Sequence, residues 1–120
     1  MARSGKRRAV FLDRDGTIIE DVPYLFEPEK VRLIKGSAKA IKILNRMAFR
    51  VVVVTNQSGV RRGYFKDSDV KTIHARINSI LRLDEARIDD YYYCPHEPDD
   101  GCVCRKPETD MVDRAVKSYS

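Results

Sequence analysis

The sequence predicts an α/β domain in which a parallel sheet is flanked by helices. Three short apolar segments, rich in β-branched or aromatic residues, alternate along the chain with three segments whose apolar residues recur every three or four positions. Alternation of strand and helix is typical of parallel strands, because each helix then serves as the crossover between two strands. With 120 residues, the chain has the length of one small domain.

The predicted strands are short apolar runs that each end in polar residues. The first covers residues 8–13 (RAVFLD), which we expect to be buried, and leads into the turn RDGT. The second covers residues 50–56 (RVVVVTN), whose four consecutive valines suit a central strand covered on both faces. The third covers residues 87–94 (RIDDYYYC). A loop at residues 57–65 (QSGVRRGYF) follows the second strand.

The predicted helices have an apolar face at helical spacing. The first begins at the Gly-Ser pair of residues 36–37, the second near residue 67 and the third near residue 109. Their apolar residues are, in order, Ala40, Ile41, Leu44 and Met47; Val70, Ile73, Ile77 and Ile80; and Met111, Ala115 and Val116. His74 lies within the second helix without any partner pattern, so we expect an ordinary helix residue.

The net charge of +5 is partly carried by residues 1–8, which we expect to form a basic tail before a domain at residues 9–120. A basic balance suits either a nucleic acid or an anionic substrate, and solvated lysines explain it without either. We expect no nucleic-acid partner, although a nucleic-acid-binding zinc module is a second class to test. The apolar runs are too short for a membrane span or a secretory signal, so we expect no membrane partner and a cytoplasmic location.

Residues with reactive or polar side chains follow each predicted strand. The carboxyl ends of parallel strands meet at one edge of a sheet, which is where ligands bind in such folds. The residues that reach this edge are Asp13 and Asp15, Thr55 and Asn56, and Cys94 with the following Arg105 and Lys106. We therefore expect one functional site at this edge.

The segment DRDGT places two carboxylates two residues apart at the end of the first strand. One could attack a phosphoryl group and form an aspartyl-phosphate. The other could donate a proton to the leaving oxygen and later activate water. Their mutual repulsion would be relieved by Mg²⁺ held by carboxylate and substrate oxygens. A solvated Asp-Gly turn is the alternative interpretation.

The other two strand ends add groups that suit a phosphate. The Thr55 hydroxyl and the backbone N–H groups of the next three residues could bind its oxygens. Lys106 could pair with the nucleophile and stabilise the transferring group through its fixed positive charge. An ordinary polar turn and one more surface lysine are the alternatives.

All three cysteines and one of the two histidines lie within eleven residues. Cys94, His96, Cys102 and Cys104 form the pattern C-x-H-x5-C-x-C, which is typical of a closed tetrahedral Zn²⁺ site. Four protein ligands leave no open position for a substrate, so this zinc would be structural. Three reduced cysteines with a chance histidine are the alternative.

The motifs FLDRDGT, VVVVTNQSG and CRKP, in this order, resemble those of the haloacid dehalogenase (HAD) superfamily of aspartate-nucleophile phosphatases. The CPH and CVCRKP segments are similar to its zinc-loop branch, which contains the D-glycero-D-manno-heptose-1,7-bisphosphate 7-phosphatases and the histidinol-phosphate phosphatases. TNQSGVRRGYF and YYYCPH are closer to the heptose enzymes, since the histidinol branch typically has Asp where Ser58 stands. The resemblance spans about residues 9–112.

The resemblance implies a Rossmann-like HAD fold and a set of residue roles. Asp13 would be the nucleophile and Asp15 the general acid and base, both binding Mg²⁺, with Thr55 and Lys106 also in the catalytic set. Cys94, His96, Cys102 and Cys104 would bind Zn²⁺. The implied substrate-binding residues are Asp13, Arg14, Asp15, Asp21, Val22, Pro23, Tyr24, Thr55, Asn56, Gln57, Ser58, Arg105 and Lys106.

The resemblance also implies an activity and its alternatives. We expect Mg²⁺-dependent removal of the 7-phosphate from D-glycero-D-manno-heptose 1,7-bisphosphate, a small phosphorylated sugar. Histidinol phosphate is the alternative substrate. The loop here has only five residues between His96 and Cys102, and this short form also occurs in the histidinol branch, whereas some heptose phosphatases have a much longer loop. The family carries a later acidic motif that this sequence lacks, so we expect a truncated chain without the C-terminal strands, and a catalytically impaired fragment is a further alternative. A full-length chain would be a monomer, and a truncated one could dimerise.

Overall fold

The computed structural model describes residues 8–119, which form a three-stranded sheet with helices on both faces. The predicted basic tail lies outside the described residues, apart from Arg8. The strands and helices are β1 (Ala9–Leu12), α1 (Ser37–Arg46), β2 (Arg50–Asn56), α2 (Asp67–Leu83), β3 (Asp90–Cys94) and α3 (Asp110–Tyr119). Two single-turn 3-10 helices cover Pro28–Lys30 and Pro98–Asp100. The predicted order of strand and helix is confirmed.

The sheet is parallel throughout its described strands, with β2 between β1 and β3. Leu12 is opposite Val53, and Asn56 is opposite Cys94, so the carboxyl ends of the three strands lie side by side. The α/β class with a parallel sheet and flanking helices is confirmed. β1 is only half-buried, whereas a buried strand was predicted, because its described pairing is with β2 alone.

The valines of β2 divide between two apolar cores. Val51 and Val53 pack on the face covered by α1 and α2, together with residues such as Ile73. Val52 and Val54 pack on the opposite face with α3, including Met111. Because side chains alternate across a strand, an unbroken valine run is buried on both sides, as predicted. Full burial of each such side chain contributes about 1.5–3 kcal/mol to stability.

Three apolar residues predicted on the core faces of helices, Ala40, Met47 and Val116, are exposed instead, and those predictions were wrong. Met47 is 56% exposed because α1 ends at Arg46 and the chain turns away there. Val116 is 52% exposed because its neighbour Ala115 occupies the buried face of α3. No described helix combines the length and the apolar character that crossing a membrane requires.

Candidate active site

Asp13 lies directly after β1, where its carboxylate meets Lys106 from the loop that follows β3. The Lys106 Nζ atom donates to Asp13 Oδ1 at 2.8 Å. The backbone N–H of Arg14 donates to the same oxygen at 2.9 Å. Both hydrogen bonds found for the described Asp13 carboxylate therefore go to Oδ1. The other oxygen, Oδ2, accepts neither of these hydrogen bonds and is available to bind a ligand.

Asp15 lies in a tight turn that follows Asp13. Gly16 has a φ of +79°, a backbone conformation that glycine adopts without steric cost. Beyond it, the N–H groups of residues 17–19 donate to the Arg14 carbonyl oxygen, at 3.0–3.3 Å. The Asp15 carboxylate is held at both oxygens. Its Oδ2 accepts from Gln57 Nε2 at 2.9 Å, and its Oδ1 accepts from the Arg14 side chain at 3.0 Å.

The end of β2 supplies side chains that organise this edge of the sheet. Thr55 is buried, and its Oγ1 accepts a hydrogen bond from Gln57 Nε2 at 2.8 Å. Gln57 therefore connects Thr55 to Asp15 through one amide nitrogen. The backbone N–H of Gln57 donates to the Cys94 carbonyl at 2.7 Å, which fixes the start of the loop against β3.

Asn56 holds the backbone of Lys106 in place. Its Oδ1 accepts from the Lys106 N–H at 2.9 Å, and its Nδ2 donates to the Lys106 carbonyl at 3.3 Å. One side-chain amide thus pairs with both polar groups of a single residue. This contact was missed, since Asn56 was predicted to bind the substrate. The sequence offers no local pattern that would reveal it.

A cavity of about 120 Å³ lies beside Asp15. Asp21, Val22 and Tyr24 line it from one side, and Asn56 to Gly59 line it from the other. The structure thus brings most of the predicted substrate segment to the site. Pro23 instead lines an adjoining cavity of about 330 Å³, together with the aromatic residue Tyr64.

The loop after β2 approaches a neighbouring aromatic ring closely. A Cβ atom on Gly59 would overlap the ring of Phe65, which is buried. Glycine is therefore required here by packing, and the ring supports the backbone of residues 57–59. Ser58, which was predicted to bind phosphate, lies on the cavity side of this support.

Three of the four predicted zinc ligands converge beyond β3. The sulfur atoms of Cys94, Cys102 and Cys104 all lie within 4.8 Å of one another. Cys94 Sγ lies 3.5 Å from Cys102 Sγ and is within disulfide distance of Cys104 Sγ, with Cα atoms 5.5 Å apart. Three soft donors at one point suit Zn²⁺, whose structural sites are rich in thiolates.

His96 is not part of this cysteine cluster. Its Nδ1 atom lies 3.6 Å from an Asp100 carboxylate oxygen, and its carbonyl accepts a hydrogen bond from Arg105 at 3.1 Å. The structure therefore groups three of the predicted ligands, and the His96 side chain contacts Asp100 instead of joining them. The Arg105 guanidinium, which was predicted to bind substrate, is engaged within the loop in this arrangement.

Arg14 and His74 form a buried pair behind Asp15. Arg14 is only 1% exposed, and its Nη1 lies 3.2 Å from His74 Nε2. Burial and, to a smaller extent, the Arg14 charge lower the pKa of His74 to about 3. His74 lies within α2 as predicted, but its burial and its contact with Arg14 were not predicted. Its position between Ile73 and Ile77 on the apolar face of α2 was the available signal.

The site defines a class of protein. A carboxylate directly follows the first strand, a second acid comes two residues later, and a lysine from a distant loop contacts the first carboxylate. The chain shares its fold with HAD-type phosphatases. A crystal structure described as a HAD-like phosphatase from Mesorhizobium loti has a TM-score of 0.88 and 36% identity, covering 98% of this chain and 62% of that chain.

Relatives whose names specify a substrate belong to the same class. The probable D-glycero-D-manno-heptose-1,7-bisphosphate 7-phosphatase of Thermoplasma volcanium is 38% identical over 112 residues, 93% of this chain and 77% of the relative. The crystal structure of D,D-heptose 1,7-bisphosphate phosphatase from B. bronchiseptica, complexed with magnesium and phosphate, has a TM-score of 0.86 and 35% identity. It covers 93% of this chain and 63% of that chain.

The chain belongs to the family of the HAD-type D-glycero-D-manno-heptose-1,7-bisphosphate 7-phosphatases. A family model described as polynucleotide kinase 3 phosphatase also matches residues 9–120. The chain spans about three quarters of the length of the Thermoplasma relative and under two thirds of the two solved structures.

Proposed function

We propose that this chain is a Mg²⁺-dependent phosphatase that removes the 7-phosphate from D-glycero-D-manno-heptose 1,7-bisphosphate through an aspartyl-phosphate on Asp13. The observation that carries the proposal is the contact between Lys106 and Asp13 at the carboxyl edge of the sheet. The names of the family's members supply the substrate. In the structure, Oδ1 of Asp13 accepts hydrogen bonds from Lys106 and Arg14, and Oδ2 is available to act as the nucleophile.

In the first step Asp13 attacks the phosphorus atom. Its Oδ2 forms the new P–O bond while the bond from phosphorus to the sugar oxygen breaks. The Lys106 ammonium stays beside Oδ1 and offsets the negative charge that gathers around the phosphoryl group. Asp15 gives its proton to the departing sugar oxygen, which leaves as an alcohol.

In the second step water releases the phosphate. Asp15, now unprotonated, takes a proton from the water molecule as the water oxygen attacks the aspartyl-phosphate. The bond between phosphorus and Asp13 breaks, so the carboxylate returns to its original state and inorganic phosphate is released. Thr55 and the backbone N–H group of Ser58 support the phosphoryl oxygens in both steps, whereas the N–H of Gln57 is already bonded to the Cys94 carbonyl.

The donor sets suit two different metal ions. The Asp13 Oδ2 atom is a hard carboxylate oxygen, which is the kind of ligand that Mg²⁺ prefers. Both carboxylate oxygens of Asp15, the other predicted ligand, already accept hydrogen bonds from Arg14 and Gln57. When bound there, Mg²⁺ would supply positive charge to the phosphoryl oxygens. The cluster of Cys94, Cys102 and Cys104 would hold Zn²⁺ in a structural role. His96, the fourth predicted ligand, would have to leave its contact with Asp100 to complete that set.

The cysteine chemistry also bears on where the protein acts. Thiols that bind a metal must remain reduced, and cytoplasmic conditions keep them so. We therefore propose a cytoplasmic location, in keeping with a small phosphorylated metabolite as the substrate.

The proposal is tested by phosphate release from purified chain supplied with Mg²⁺. D-glycero-D-manno-heptose 1,7-bisphosphate and histidinol phosphate are compared side by side, with kcat/KM as the measure. We expect the heptose bisphosphate to have the higher value. The opposite order would assign the chain to the histidinol substrate, and no release from either would contradict the proposed activity.

A further inference from the structure

A line of buried polar contacts runs from α2 to Asp15. The Arg14 side chain stands at its centre. Its Nε and Nη2 atoms lie 3.0 and 2.9 Å from Asp15 Oδ1. Its Nη1 atom faces the opposite way and lies 3.2 Å from His74 Nε2, 60 residues further along the chain. A buried arginine is uncommon unless its charge and donors have partners, and here Asp15 and His74 provide them.

His74 can only be the acceptor in this contact. A guanidinium group carries donors on all three nitrogens and has no acceptor, so Nε2 of His74 must present its lone pair. The lowered pKa of His74, about 3, agrees with a neutral ring at physiological pH. The ring itself is held against Tyr91, with the ring centroids 4.2 Å apart and the planes at 12°. His74 is thus a fixed acceptor for one edge of the guanidinium.

The Arg14 contact makes the two carboxylate oxygens of Asp15 unequal. Oδ1 faces a permanently charged group that only donates, so this oxygen is already saturated. Oδ2 faces Gln57, at 2.9 Å from its Nε2, in the direction of the cavity. The oxygen that exchanges a proton with the substrate is therefore Oδ2. The orientation of Oδ2 towards the substrate depends on the hydrogen bonds that Arg14 donates to Oδ1.

We propose that His74 is a positioning residue for the phosphatase reaction and holds the Asp15 carboxylate through the guanidinium of Arg14. This inference rests on the proposed function, because it concerns the residue that acts there as acid and base. Without the acceptor on His74, one edge of a buried guanidinium loses its partner and the group rotates to find another. Asp15 Oδ1 then loses the two Arg14 donors that hold it, and Oδ2 is no longer oriented towards the substrate.

The dependence of kcat/KM on the leaving group distinguishes this positioning role from a purely structural one. The leaving oxygen of a sugar phosphate is strongly basic and needs a proton, whereas that of p-nitrophenyl phosphate departs readily without one. The value of kcat/KM reports the steps up to departure of the leaving group. The ratio of this value for heptose bisphosphate to that for p-nitrophenyl phosphate therefore measures how well Asp15 delivers its proton.

We expect His74→Phe to lower this ratio about tenfold, since slight misplacement of a catalytic group is costly in rate. The amide oxygen of His74→Gln can still accept from Arg14, so this variant should recover most of the ratio. Arg14→Lys keeps the charge but cannot bridge Asp15 and His74, and it should show the same selective loss. It serves as the second variant if His74→Phe does not fold.

Tyr91→Phe is the matched control. It removes the hydroxyl that donates to Asn78 at 3.0 Å but keeps the ring that packs on His74. We expect a lower Tm and an unchanged ratio. The inference is overturned if folded His74→Phe or Arg14→Lys slows both substrates equally or neither.

Asp15→Asn keeps this inference separate from the proposed function. If that variant slows the sugar phosphate no more than the aryl phosphate, the role of Asp15 as the acid fails. If Asp15→Asn shows the selective loss and the variants of His74 and Arg14 do not, only the positioning role of His74 fails.

Discussion

The ammonium nitrogen of Lys106 lies 2.8 Å from Oδ1 of Asp13, although 93 residues separate the two in sequence. Both side chains remain partly exposed, at 31% for Lys106 and 48% for Asp13. A pair this accessible contributes at most about 1 kcal/mol to stability. Its importance therefore lies in the site, where it holds one oxygen of Asp13, the proposed nucleophile, and leaves the other oxygen available to react.

Replacement of Lys106 by methionine should separate activity from stability. Lys106→Met removes the charge while keeping most of the side-chain volume. Loss of one preorganised charge at the transferring group should reduce kcat by about 10²–10³-fold. The free energy of unfolding in urea should change by less than about 1 kcal/mol. Lys71→Met, at an exposed position of α2, is the control and should retain full turnover. Normal turnover in Lys106→Met would remove the lysine from the mechanism.

Asn56 should act through Lys106 and not on its own. Asn56→Ala removes both hydrogen bonds to the Lys106 backbone and frees the loop to move. We expect a clear loss of kcat from this change, and no further loss when it is added to Lys106→Met. A double-mutant cycle measured by kcat checks this, because residues that act as a unit are not additive. Independent, multiplying effects would show that Asn56 touches the substrate itself.

The cysteine cluster gives opposite predictions for a metal and for a disulfide. If Zn²⁺ is bound, a chelator should lower both Tm and activity, added Mg²⁺ should not restore them, and a reductant should have no effect. Cys102→Ser should then reduce the zinc content measured by elemental analysis. If Cys94 and Cys104 form a disulfide, the reductant should lower Tm and Cys102→Ser should be harmless. We expect the first pattern, and the second would contradict a structural zinc site.

Burial of His74 should make stability depend on pH. The pKa of this ring falls from its ordinary 6.5 to about 3 in the folded chain, mainly through burial. Between these values the unfolded chain binds a proton that the folded chain does not. The contribution is therefore complete above pH 6.5 and is lost as the pH falls towards 3, by up to about 1.4 kcal/mol per pH unit. Urea unfolding at pH 7, 6 and 5 should show this slope, with a shallower one for His74→Gln. Equal slopes would contradict the burial of a neutral ring.

The order of elements and the location of the site could be predicted because local patterns determine them. The valine run of β2 requires cover on both faces, and parallel strands bring their polar ends to one edge. Asp13, Thr55 and Lys106 were predicted in this way to lie at one edge of the sheet. The exposed residues Ala40, Met47 and Val116 were assigned to core faces because spacing alone does not tell which part of a helix face a neighbouring element covers.

The contacts behind the site could not be predicted from local patterns. An arginine next to an aspartate usually reaches solvent, and only the packing of α2 turns Arg14 inward to His74. The amide of Asn56 binds a backbone 50 residues away, which depends on the path of the loop after β3. The separation of His96 from the three cysteines likewise depends on that path.

The most direct test of the account is to locate the phosphoryl group during turnover. The chain is mixed with heptose bisphosphate and Mg²⁺, quenched in acid within the first turnover and digested for peptide mass spectrometry. The account predicts a phosphorylated peptide with the modification on Asp13, and none in Asp13→Asn, which should also release no phosphate. Full activity in Asp13→Asn, or a phosphoryl group on another residue, would contradict it.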